Sequence, residues 1–248
     1  MSPPPYITYP IFAGLPLVAL TTTRSALPQA RGGSLSEKDI LQLCRVVGLP
    51  PGQLTTAKQV HGTSIALVSS PGRQVIPATD ALLTATPGQA LAVFTADCVP
   101  GFLYDPLTPA IAIFHAGWRG TLAEIAKKTV RAMAKEFGTN VEKLVAVLGP
   151  AISGENYPVS DKVGEAFVAG FGEGYPGITK DEGVYKLDLR EINSAQLADC
   201  GVARASIYIN QQCTFADGDW YYSYRQEGAS AGRMISVIWL GERKGYGY

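Results

Sequence analysis

Seven short apolar runs stand out along the chain, at residues 17–21, 65–68, 91–94, 111–114, 144–148, 206–209 and 235–239. Several are rich in β-branched residues and show little polar alternation, the pattern of strands buried on both faces. Segments with helical periodicity lie between them. Ser36 is placed to cap a helix over 37–47, Ser160 one over 161–171, and Asp188 one over 189–200. Thr121 and Glu124 have capping-box spacing before a helix over 125–137. There Leu122, Ile125, Val130, Met133 and Phe137 share an apolar face, with the basic residues outside. Gly138 and Gly201 stand where helices should stop. Strands and helices are mixed, with no repeat, heptad run or linker-like shift in composition. The pattern predicts an α/β or α+β chain in a single domain over 1–248, with residues 1–10 as an N-terminal arm.

Composition narrows this picture. Of the 248 residues 46% are hydrophobic, enough for a sizeable core. Lys plus Arg equals Asp plus Glu at 21 each, which removes any net-charge argument for nucleic acid or an anionic membrane and leaves only a local basic cleft. The start, "MSPPPYITYP", lacks a basic and apolar leader, and no run approaches the roughly 18 apolar residues of a membrane span. The expectation is a cytoplasmic protein with no membrane partner. Cysteines at 44, 98, 200 and 213 form no CxxC pair and are expected as thiols, Cys44 and Cys200 as packing residues within helices.

The chemistry concentrates at strand ends. The chain has two histidines: His61 in "KQVHGTS" and His115 in "IAIFHAGWRGTL". Each ends an apolar run and is followed by a glycine within two residues. Cys98, in "AVFTADCVPGFLYD", ends another, ahead of an expected turn at Pro100-Gly101. Two imidazoles and one thiolate would suit Zn²⁺ with a position left for water or substrate, and copper also accepts these donors. A metal there would lower the pKa of a bound water to about 7. The gaps match no short metal motif, so spacing leaves three readings open: a metal site, a Cys98 nucleophile with a histidine base, or plain packing. Arg119, expected just before a capped helix, could bind phosphate or carboxylate, and Trp118 is a candidate for stacking or packing. Arg225 and Arg233 flank a glycine-containing turn and could line an anionic pocket. Asp97 could support a ligand, but strand alternation would turn it away from Cys98, which favours a structural role.

The segments "QVHG" (59–62), "ATDALLT" (78–84), "TADCVP" (95–100), "HAGWRG" (115–120), "LGPAIS" (148–153), "CTF" (213–215) and "SYRQEGASAGRM" (223–234) occur in this order. Together they resemble the YfiH or laccase-domain family, also described as multicopper polyphenol oxidoreductase-like or peptidoglycan editing factor proteins. The resemblance extends over about residues 17–240. It implies one α/β domain with mixed β-sheets sandwiched between helical layers, in α-β-β-α order. It implies a metal held by His61, Cys98 and His115, for which zinc is the expectation and copper the alternative. It implies phosphorolysis of adenosine, inosine or methylthioadenosine and deamination of adenosine, with purine nucleoside and phosphate as partners. Older descriptions of the family imply copper-dependent polyphenol oxidation, or a Cys-His hydrolase acting on cell-wall precursors. Arg119 is carried as a catalytic and phosphate-binding candidate, and Arg24 and Arg233 as substrate-binding candidates. A monomer or weak homo-oligomer is expected.

The chain departs from the family pattern twice. Where the family has cysteine after "GPAI", this chain has "SGENYPV", with Glu155 and Asn156; Glu155 is a candidate general acid, with surface exposure as the alternative. An insertion, "SALPQA" (25–30), separates Arg24 from "RGGSLS" (31–36).

Overall fold

The computed structural model describes residues 3–26 and 35–241, so residues 27–30 of the insertion and 31–34 after it lie outside the described residues. The N-terminal third contains β1 (Tyr6–Thr8), β2 (Leu17–Thr22), α1 (Glu37–Val47), β3 (Leu54–Ala57), β4 (Ile65–Leu67), β5 (Gln74–Ile76) and β6 (Ala81–Thr84). The middle contains β7 (Ala90–Thr95), β8 (Val99–Asp105), β9 (Ala110–Ala116), α2 (Trp118–Leu122), α3 (Ile125–Phe137) and β10 (Val145–Leu148). There follow β11 (Pro158–Val159), α4 (Asp161–Phe171), β12 (Ile178–Asp181), β13 (Val184–Leu187), α5 (Leu189–Asp199), β14 (Ile207–Ile209), α6 (Tyr224–Glu227) and β15 (Met234–Leu240).

Two six-stranded mixed sheets stack face to face, one ordered β1-β2-β15-β7-β3-β5 and the other β14-β10-β8-β9-β6-β4. A small sheet, β11-β13-β12, stands apart from them. Strand alternation builds the layers. On β7, Leu91 and Val93 meet Phe102, Ile111 and Ile113 of the opposite sheet. The alternate residues Ala90, Ala92 and Phe94 pack on Ile40, Leu43 and Cys44 of α1. On β9, Ala112 and Phe114 face Ile125, Val130 and Met133 of α3 and Ile192 of α5. The layers therefore run helix, sheet, sheet, helix. Such two-sided burial is why the strands carry almost no polar alternation.

The seven strands expected from the apolar runs are present, with ends moved by no more than two residues. Three of the four helices have the expected bounds, and α5 ends one residue early, at Asp199. Ser36 and Asp39 form a full capping box, and the Asp188 carboxylate accepts from the backbone N–H of Arg190 and Glu191. Ser160 precedes its helix but makes no side-chain cap.

Three expectations differ from the structure for local reasons. Thr121 and Glu124 form no capping box: α2 already begins at Trp118, Thr121 lies inside it with its hydroxyl accepting from Asn193, and Glu124 adopts φ +60. Pro100 and Gly101 are not a turn but part of β8, opposite His115 and Phe114. A Cβ on Gly101 would collide with the Phe114 ring, so the glycine marks a close approach within a strand. The segment read as an arm contributes β1, paired antiparallel with β2, and the buried Tyr9, whose hydroxyl bonds Thr21 at 2.5 Å.

One feature of the topology positions the site. Strands β3, β5 and β7 are parallel neighbours in the first sheet, so their C-terminal ends share one edge. From each of them the chain crosses directly to the second sheet, into β4, β6 and β8. Strand β9 runs antiparallel to β6 and β8, so its C-terminal end arrives at the same edge.

Candidate metal centre

The three crossings and the end of β9 deliver the chemistry to one place. His61 lies in the β3–β4 crossing, Asp80 in the β5–β6 crossing and Cys98 in the β7–β8 crossing, while His115 is the penultimate residue of β9. The ligand atoms of His61, Cys98 and His115 all lie within 4.8 Å of one another. The two imidazoles meet edge to face with centroids 4.8 Å apart. His115 is buried, Cys98 half-buried and His61 exposed, so the cluster is open on one side.

Asp80 organises this arrangement, a residue that spacing arguments did not single out. It is 0% exposed. Its carboxylate accepts the backbone N–H of Val60 (3.2 Å), His61 (3.0 Å) and Gly62 (2.9 Å). It also bonds Nδ1 of His115 at 2.9 Å, and its carbonyl accepts the His115 N–H at 2.8 Å. With Nδ1 of His115 engaged, Nε2 is its free ligand atom, the orientation that carboxylate–histidine pairs impose at metal sites. His61 has φ +60, a left-handed conformation unusual for a residue with a side chain. The three N–H groups gathered on one carboxylate hold the backbone there. Burial raises the Asp80 pKa, but the bonds from His115, Gly62 and Val60 outweigh it and keep the carboxyl below its ordinary range. A carboxylate directly before the buried run "ALLT" was the available signal, since a charge so placed needs partners.

Cys98 and His115 polarise each other. Burial alone would push the thiol up, but the His115 imidazolium and hydrogen bonds from His115 and His61 outweigh it and lower the pKa to about 6. Burial pushes His115 down, but the Cys98 thiolate and Asp80 raise it to about 9. In metal-free protein the thiolate therefore forms as pH rises through about 6, three units below the ordinary thiol value of 9.0. Iodoacetamide labelling followed by peptide mass spectrometry should show Cys98 reacting with a midpoint near pH 6, while Cys44, pushed up by burial to about 11, stays slow. A Cys98 midpoint near 9 would show that the ion pair does not form.

Gly117 closes the cluster from below. A Cβ there would stand 3.1 Å from both Cys98 Sγ and the His61 ring. The cluster forms the floor of a cavity of about 620 Å³, within the roughly 300–1,000 Å³ of small-molecule sites. Arg119 and Arg233 line it, together with Lys58, which spacing arguments passed over. None of these three cations has a carboxylate partner among the described residues. The Arg119 guanidinium rests on the Trp118 indole at 4.3 Å, and Arg233 donates only to the carbonyls of Ala231 and Gly232. Arg119 lies inside a single-turn helix rather than ahead of a long one, so its side chain and not a helix terminus presents the charge.

The other candidates have different places. Arg24 does not line the cavity: its guanidinium pairs with Glu227, donates to the Tyr221 carbonyl and stacks on Tyr222 at 4.4 Å. Arg225 lines the cavity, but its guanidinium stacks on Tyr157 and donates to the Pro158 carbonyl. Asp97, at φ +80 in the β7–β8 crossing, accepts from the Thr214 hydroxyl (2.7 Å) and the Arg225 backbone N–H (2.6 Å), the structural role expected of it. Glu155 is exposed and off the cavity, and Asn156 donates to Ser153 and to the Cys213 sulfur. Cys44, on α1, packs against the first sheet, and Cys200 against the core under α3 and α5.

A layered α/β fold with two imidazoles and a thiolate at the floor of a cavity defines a single-cluster candidate metalloprotein. The chain belongs to the family described as multi-copper polyphenol oxidoreductase laccase, whose model matches residues 36–241. It is an enzyme family by the names of its curated relatives. A purine nucleoside phosphorylase from Bacteroides thetaiotaomicron is 40% identical over 200 residues, 77% of this chain and 74% of that protein. Adenosine deaminase RL5, from an unknown prokaryotic organism, is 32% identical over 209 residues, 80% of this chain and 79% of that protein. The crystal structure of YlmD from Geobacillus stearothermophilus superposes with a TM-score of 0.84 at 27% identity, covering 96% of each chain. That of the Bacillus licheniformis protein YfiH gives 0.82 at 26% identity, covering 96% of this chain and 97% of the other. Among the described residues no helix is long and apolar enough to cross a membrane.

Proposed function

We propose that this chain is a zinc-dependent purine nucleoside enzyme that phosphorolyses adenosine, inosine or methylthioadenosine and deaminates adenosine. The observation that carries the reading is the meeting of His61, Cys98 and His115 at a cavity whose cations Lys58, Arg119 and Arg233 have no carboxylate partner among the described residues. The donor set fits a metal: two imidazoles, one with its second nitrogen fixed by Asp80, and a thiol already biased toward thiolate. When bound, the metal supplies Lewis acidity that activates water or polarises the substrate. The cavity cations serve the other half of the chemistry. In phosphorolysis a phosphate oxygen bonds to C1′ of the ribose while the C–N bond to the base breaks, the base leaving with the electron pair. Arg119 and Arg233 hold the phosphate and offset its charge, with Lys58 beside them. Arg24 has no part in this reading. The relatives named for both activities support the substrate class.

Copper-dependent polyphenol oxidation of the multicopper kind is disfavoured by the donor count. The sequence has two histidines, and both are in this one cluster. The test is metal analysis of the purified chain with turnover of inosine and adenosine, with and without phosphate. A single zinc per chain, phosphate-dependent release of hypoxanthine from inosine and phosphate-independent loss of ammonia from adenosine are expected. Phenol oxidation by zinc-loaded, copper-free protein without nucleoside turnover would overturn the reading.

A further inference from the structure

Beyond the cluster and the cations, the inner wall of the cavity carries a neutral hydrogen-bond donor with nothing in the protein to bond. We propose that the Tyr157 phenol is a substrate-contacting group that donates a hydrogen bond to an acceptor atom of the bound nucleoside, beside the His61–Cys98–His115 cluster. The assignment rests on the nucleoside reading of the site and adds a residue to it.

Placement is the first argument. Tyr157 lines the cavity. Its ring is fixed from behind by the Arg225 guanidinium, 4.8 Å from the ring centroid. That guanidinium is itself anchored, both terminal nitrogens donating to the Pro158 carbonyl at 3.2 Å. The Arg225 backbone N–H is in turn held by Asp97, the neighbour of Cys98 in sequence. The Tyr157 carbonyl accepts from Leu187 N–H at 3.2 Å, tying the segment to β13. The phenol is therefore preorganised: its rotamer is set by contacts that do not use its hydroxyl.

The second argument is the hydroxyl itself. Three other tyrosines spend theirs within the protein: Tyr9 on Thr21 (2.5 Å), Tyr175 on Asp199 (2.8 Å) and Tyr221 on Gln212 (2.7 Å). The Tyr157 hydroxyl has no protein partner among the described residues. With the ring packed in the cavity wall and the hydroxyl unspent, the donor is available to an acceptor atom of a ligand in the cavity. Burial pushes the phenol up to about 12, with the Cys98 thiolate next in effect and the Arg225 and Arg119 guanidinium groups opposing. Cys98 and Arg119 line the same cavity as Tyr157, and the phenol stays a donor across the working range of pH. Of the two tyrosines on the cavity wall, Tyr224 is 55% exposed, which puts it at the rim and Tyr157 inside. Glu155, two residues earlier, is exposed and off the cavity, so this segment meets substrate through the tyrosine.

The experiment compares wild-type protein with Tyr157→Phe and Tyr157→Ala, measuring zinc content, inosine binding by calorimetry, and kcat and KM for inosine with phosphate. Phenylalanine keeps the ring under Arg225, so zinc content should be unchanged. Inosine affinity should fall about 3- to 10-fold, the worth of one neutral hydrogen bond, and kcat/KM should fall at least as far. Alanine also frees Arg225 and should cost more. Tyr157→Phe with wild-type affinity and kcat/KM overturns the assignment while leaving the nucleoside reading intact. Loss of zinc in Tyr157→Phe also overturns it, moving the residue's role to the cluster. Wild-type protein that neither binds nor turns over a nucleoside overturns both.

Discussion

His115→Ala is expected to abolish stoichiometric metal binding and to lower nucleoside turnover by well over 100-fold. Loss of an outer partner of a metal ligand typically costs about 10- to 100-fold, and loss of a ligand costs more. A catalytic site of this type holds its ion with three protein groups, and two of them, one on an exposed loop, do not make such a site. No replacement is at hand, because the sequence has no third histidine. The fold should survive, since Asp80 keeps its bonds to the backbone of Val60, His61 and Gly62. Metal analysis and circular dichroism on the same preparation separate the two effects. Full zinc and full activity in the variant would remove His115 from the ligand set. Cys98→Ser offers an independent check, as it replaces a soft donor biased toward thiolate with a poor one.

Asp80→Ala is the substitution expected to damage the fold most. It leaves three backbone N–H groups without their acceptor and His115 without its buried partner. Breaking a buried pair from one side costs about 3–5 kcal/mol, a large share of a typical domain's stability. Chemical denaturation should show this in zinc-free protein, where metal binding does not contribute. Asp80→Asn is the milder companion. Its amide retains one oxygen, so the fold should hold while zinc affinity falls about 10- to 100-fold as His115 loses its orienting charge. The wild-type pH dependence follows in sign. The Asp80 carboxyl has a lower pKa in the folded than in the unfolded chain, so its contribution is fully present above the ordinary carboxylate range and is lost as pH falls through the folded value. Flattening of acid unfolding in Asp80→Asn would confirm the origin; an unchanged acid limb together with wild-type zinc affinity would refute the organising role.

Much of this fold was legible along the chain, and the misses are instructive. Ser36 announces α1 because an N-terminal cap is a contact over three residues, and the structure adds Asp39 as its reciprocal partner. The strands at 91–94 and 111–114 were visible because two-sided burial leaves no polar position to interrupt them. Pro100-Gly101 was misread because those residues usually mark turns; only the Phe114 ring on the neighbouring strand explains the glycine. Thr121 and Glu124 had the right spacing, but Asn193, 72 positions away, takes the threonine hydroxyl.

At the site the division is sharper. The donor atoms could be named from the chain: two histidines and a cysteine at breaks in apolar runs, set among family motifs. Residue type and local periodicity suffice to mark these three as candidates, because they depend on neighbours in sequence; the ordered family motifs, and not spacing, favoured the metal reading among the three readings left open. Their convergence could not be named. It depends on β3, β5 and β7 running parallel, on each crossing to the second sheet from the same edge, and on β9 ending there. Strand pairing between distant segments has no short-range code. The same holds for Asp80 gathering three N–H groups, for Glu227 drawing Arg24 away from the cavity, and for Arg225 holding Tyr157 in place. Charge, hydroxyl and imidazole are properties of single residues, whereas which of them share a low-dielectric cavity is set by how the two sheets stack.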